Sequence, residues 1–107
     1  MGSINVKSAA VLQEEFLAST KSRLTSAIQS MLDETAKERG YDSILSCCSY
    51  ATSTNAKFAA EGQAAVEWRD KVWSKCYEIV AEQAAGTRQA PIEDELKALL
   101  PKMVWPV

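Results

Sequence analysis

Residues Asn55–Gly86 read NAKFAAEGQAAVEWRDKVWSKCYEIVAEQAAG. Phe58, Ala65, Val72 and Ile79 recur every seven residues, and Ala59, Val66, Trp73 and Val80 repeat one position on. Two adjacent stripes of this kind make one broad apolar face on an α-helix, and such a face has to be covered by other elements. Cys76 falls between the stripes. Gly62 lies inside the pattern, where glycine costs about 1 kcal/mol relative to alanine. A small residue kept at that cost marks a close crossing, so the first helix or a short second one is expected to approach there.

Upstream, residues 8 to 39 are almost free of helix breakers. Leu17, Leu24, Ile28, Met31 and Leu32 mark one face, which Leu12 and Phe16 extend. Ser8 is a candidate N-cap. Gly40 suits a left-handed C-cap, with Tyr41 able to fold back on the last turn. At 1.5 Å per residue this helix is about 48 Å long, more than a compact domain of this size covers. Either it projects or another chain covers it. Asp42 or Ser43 opens a short helix over 43–52, with Ile44, Leu45, Cys48 and one of Tyr50 and Ala51 turned inward. Thr52, Ser53, Thr54 and Asn55 form a polar connector that caps the long helix.

Downstream, Gly86 ends the long helix and Thr87–Ala90 links it to a last short helix, PIEDELKALL. Pro91 suits its first turn, and Glu93, Asp94 and Glu95 lie near its positive end. Pro101 stops it. The segment PKMVWPV, bracketed by prolines, is expected to run extended over 101–107 and dock through Met103, Val104 and Trp105. Residues 1–7 show no period and read as a flexible arm. The fold class is all-α: one domain over 1–107, a small helical bundle or hairpin of two long helices, a short intervening helix, a short C-terminal helix and an extended tail.

With 107 residues, 47% apolar and 24% charged, the chain has ordinary globular composition. No stretch approaches the roughly 20 apolar residues of a bilayer span, and MGSINVK lacks the apolar core of a secretory leader. Twelve basic and fourteen acidic residues are interspersed, without the basic stripe of a nucleic-acid binder. Cys47, Cys48 and Cys76 suit reduced, partly buried thiols.

The absence of histidine removes serine and cysteine triads and histidine-containing metal sites. There is no phosphate-cradling glycine motif, and no cofactor is expected. The acidic groups Glu14/Glu15, Asp33/Glu34/Glu38 and Glu61/Glu67/Asp70 lie among lysines and arginines at helical spacing, as on a solvated face. Trp68, Arg69, Tyr77 and Trp105 are the candidate partner-binding residues. Trp68 lies off the axis of the stripes, and arginine and tryptophan commonly anchor interfaces.

The blocks RGYDSILSCCSYA, FAAEGQAAVEWRDKVWSKCYEI and the closing LPKMVWP together resemble a C-terminal region of small tailed-bacteriophage proteins encoded with tail-fibre genes, among them tail-fibre assembly proteins. The matching positions are Gly40–Ser43, Ser49–Ala51, Phe58, Glu61, Trp68–Asp70, Val72, Trp73, Pro101, Trp105 and Pro106, over roughly residues 35–107. The resemblance implies a helical module that binds a phage tail-fibre polypeptide, as assembly chaperone or small virion component. It implies residence in the bacterial host cytoplasm during assembly, or in the virion tail. The competing class is a small phage regulator that binds and inhibits a host protein. The surplus length of the first helix adds an expectation of self-association, as dimer or trimer, through Leu17, Leu24, Ile28 and Met31.

Overall fold

The computed structural model describes residues 9–89, 91 and 93–107, and for Ala9, Gln13, Leu17 and Glu93 it describes the backbone alone. Four α-helices follow in order: α1 (Ala9–Glu38), α2 (Ile44–Cys48), α3 (Ala56–Ala84) and α4 (Glu93–Leu99), with a 3-10 turn over Ser49–Thr52 after α2. The chain is all-α, with no strand among the described residues. The expected arm over 1–7 lies outside them.

Local chemistry sets the boundaries. α1 ends in a Schellman motif: Gly40, at φ 87°, donates its N–H to the Lys37 carbonyl, and Tyr41 donates to that of Ala36. Gly86, at φ 78°, repeats the pattern on α3, with its own N–H and that of Thr87 reaching Gln83 and Glu82. Ser43 caps α2 by accepting from the Ser46 N–H. Asn55 caps α3 by accepting from Lys57 and Phe58. Asp33, expected on a solvated face, instead accepts from the Ile44 N–H at 2.9 Å and ties α1 to the start of α2.

α1 and α3 form an antiparallel pair. Arg39 lies beside Glu61 at one end, and farther along Lys21 is close enough to Cys76 to act on its thiol. The core joins Leu24, Ile28, Leu32 and Ala36 of α1, Ile44 and Cys47 of α2, Ala65, Trp68, Val72, Cys76 and Ile79 of α3, and Leu96 and Leu100. On α3 the buried arc runs 61, 65, 68, 72, 76, 79. It follows the first apolar stripe and spreads away from the second, whose Val66, Trp73 and Val80 are only half-buried. This reverses the expected roles of two tryptophans: Trp68 is 6% exposed and belongs to the core, while Trp73 packs at its edge.

Gly62 meets the expected crossing. A Cβ there would lie 2.6 Å from the carbonyl carbon of Tyr50 and collide with the backbone N of Ala51. The 3-10 turn therefore lies directly on α3. Of the other inward expectations for this segment, Ile44 is buried and Cys48 and Ala51 are half-buried, whereas Leu45 on α2 and Tyr50 on the turn face solvent and Cys47 is buried instead.

The molecule is elongated, with extents of 69 × 28 × 21 Å. Thr20, Leu24, Ile28, Leu32 and Ala36 are buried at four-residue intervals, and the same row continues upstream into exposed Phe16 and Leu12. The first turns of α1 thus project beyond their cover. Leu24 and Ile28, expected to mediate self-association, lie inside the chain's own core at 1% exposure, and Met31 packs half-buried against it.

Candidate functional site

Two regions gather chemically capable side chains. The first is the end of the molecule where α1 finishes, α2 begins and α3 starts. Glu61, expected to face water, is 4% exposed and accepts two hydrogen bonds, from the Tyr41 hydroxyl at 2.8 Å and from Arg39 Nη1 at 3.2 Å. Burying a carboxylate alone is costly, and a cation with a second donor offsets that cost. Glu67 and Asp70 are exposed, so the three acids do not converge on one centre. The Arg39 guanidinium also lies over the Trp105 ring, 5.0 Å from its centroid.

The tail over 101–107 carries that ring into place. Trp68 donates its indole N–H to the Pro101 carbonyl at 2.8 Å. From there the segment follows α3 toward its N-terminus, with Met103 and Trp105 packed on the core and Pro106 and Val107 reaching Ala56 and Ala60. Val104, expected to dock, points outward at 82% exposure. Pro101 and Pro106 bracket the segment and Trp105 is packed, which holds the backbone extended so that alternate side chains face opposite ways.

Burial governs protonation here. The Tyr41 hydroxyl is pushed up to about 12, first by burial and then by the hydrogen bond and charge of Glu61. Burial likewise pushes the Cys47 thiol up to about 11, with the neighbouring Cys48 and Glu61 adding to it. Cys48 and Cys76 are also raised, chiefly by burial. None of the three thiols is activated as a nucleophile. For groups raised in the folded state, the stabilising contribution is whole below the unfolded value and disappears as pH climbs through the folded one. Denaturation midpoints are therefore expected to fall from about pH 9 upward, as Cys47 and then Tyr41 ionise. Tyr41→Phe should leave only the Cys47 contribution above about pH 10 and so make the decline shallower, by on the order of 2 kcal/mol after allowing for partial exposure. A midpoint in the parent protein that stays level to about pH 11 would contradict the assignment.

The second region is a row on the outer edge of α3. Arg69 and Trp73 are half-buried and Tyr77 is 62% exposed, at successive four-residue steps. Arg69 lies near Cys48, where its charge opposes the upward shift of that thiol. Of the four partner-binding candidates, then, Arg69 and Tyr77 share a surface. Trp68 and Trp105 are engaged inside the molecule, so neither forms an exposed docking patch. Trp73 completes the row; its position four residues from both Arg69 and Tyr77 was the available signal. Among the described residues no three His, Cys, Asp or Glu side chains cluster as a metal site would require, and no helix is long and apolar enough to cross a membrane. No protein-family model matches the chain, and no curated protein or solved structure matches it significantly.

Proposed function

We propose that this chain is a non-enzymatic, phage tail-associated interaction protein that binds a tail-fibre polypeptide, as assembly chaperone or small virion component, through the Arg69–Trp73–Tyr77 row. The observation that carries the proposal is Tyr77, a large ring left 62% exposed beside an arginine and a tryptophan on one helix face. These three residue types dominate the energetics of protein interfaces, because they bring large rigid area together with polar groups. The resemblance of the surrounding WRDKVW block to tail-fibre-associated proteins supplies the identity of the partner. With Leu24 and Ile28 inside the core, the surface that supports a pairing of copies on α1 is the projecting turns around Leu12 and Phe16, which are exposed.

Co-expression with a tail-fibre polypeptide, followed by affinity capture, tests the proposal. Arg69→Ala combined with Tyr77→Ala is expected to weaken capture about tenfold or more, since interface anchors of this kind each contribute 1–2 kcal/mol or more. The melting temperature should change little. Capture of the fibre at parent strength by the double variant would remove the row from the interface. Recovery of a host protein in place of the fibre would favour the regulatory class.

A further inference from the structure

Beside the Arg39–Glu61 pair lies a cavity of about 250 Å³ lined by Arg39, Gly40, Tyr41, Tyr50, Lys57, Phe58 and Glu61. One wall is aromatic. Tyr41 and Tyr50 have ring centroids 5.5 Å apart at 58°, and Tyr50 and Phe58 are 5.5 Å apart at 71°. These rings are not consumed by the core: Tyr50 and Phe58 both remain exposed, although Phe58 opens the apolar stripe of α3. Gly40 keeps the rim open, since its left-handed backbone carries no side chain and even a Cβ would meet nothing within 4 Å.

The charges around this wall do not balance. Glu61 is the one acid in the lining, and both its oxygens are already engaged, by Tyr41 and Arg39. Arg39 retains 40% side-chain exposure, and Lys57 has no ion-pair partner among the described residues. One cation therefore offsets Glu61 and a second is left over beside three rings. From this geometry we infer a ligand site for a compact aromatic carboxylate, its ring against Tyr50 and Phe58 and its carboxylate toward Lys57 and the outer edge of Arg39. A cationic ligand would meet Lys57 and Arg39 at the rim. A simple anion would leave the ring wall wet, and offset or edge-to-face ring contacts add to what apolar burial contributes.

The probes are N-acetylphenylalanine, its neutral amide, and acetate, titrated into the full chain while the ring resonances of Tyr50 and Phe58 are followed by NMR. A ligand this small binds weakly, so the carboxylate is expected to saturate with Kd on the order of millimolar. The amide and acetate should each bind at least about tenfold more weakly, a step of about 1.4 kcal/mol. Lys57→Gln, on an exposed position that leaves the fold intact, should erase the preference for carboxylate over amide. Phe58→Leu should weaken both. The inference is overturned if no ring signal moves, if the amide binds as tightly as the carboxylate, or if Lys57→Gln leaves the preference unchanged.

Discussion

Trp68→Ala is expected to destabilise the protein by about 3–5 kcal/mol, the range for deleting a large buried ring. Trp68 is 6% exposed in the core, and its indole N–H holds the Pro101 carbonyl, so the substitution opens a cavity and releases one anchor of the tail. Trp73→Ala, at the half-buried edge, should cost about half as much. Chemical denaturation of the two variants side by side measures the difference. A larger loss at Trp73 than at Trp68 would mean that the buried arc of α3 has been placed on the wrong flank.

Gly62→Ala carries the second large effect, and its sign opposes helix propensity. On an exposed helix the change would gain about 1 kcal/mol. Here the new methyl meets backbone atoms of Tyr50 and Ala51, and backbone cannot rotate aside as a side-chain tip would. The 3-10 turn must lift from α3, and overpacking of this kind costs about 3 kcal/mol or more. For a domain of this size that lowers the melting temperature by roughly 10–20 °C. Ser74→Ala, on an exposed position of the same helix away from the crossing, is the control that should leave it nearly unchanged. A Gly62→Ala protein that melts at or above the parent temperature would show that the crossing is not tight.

Much of the helical framework was legible because its determinants are local. A cap such as Ser43 or Asn55 bonds a backbone N–H two or three residues away, and Gly40 and Gly86 turn the chain at the residue where they stand. Gly62 was legible as well, because a glycine inside a strong helical pattern needs a steric reason. What escaped depends on partners distant in sequence. Glu61 looked like a surface acid because Arg39 and Tyr41 are 22 and 20 residues away. The heptad repeat located the apolar side of α3 but not which flank the tail would cover, and that alone separates Trp68 from Trp73. Ala51 rather than Tyr50 turns inward because Ser49–Thr52 is a 3-10 turn with three residues per turn, a rotation that an α-helical projection does not supply.

Several residues that carry the phage-tail resemblance occupy joints of this architecture. Gly40 turns the chain, Ser43 caps α2, Tyr41 satisfies Glu61, Trp68 holds Pro101 and Trp105 lies under Arg39. Similarity at these positions speaks first for the fold. The proposed docking row draws on Arg69 and Trp73 from the same set but reaches its most exposed member, Tyr77, outside it.

The bond from Trp68 to Pro101 spans 33 residues. Helix nucleation and the pairing of neighbouring segments proceed through short loops, whose closure entropy is small. The indole of Trp68 cannot be sealed on that schedule, because its cover arrives from a segment that must first travel the length of α3 and the linker behind it. While residues 101–107 are away the hairpin displays a wet ring on its flank, so shielding the indole and docking the tail are one event.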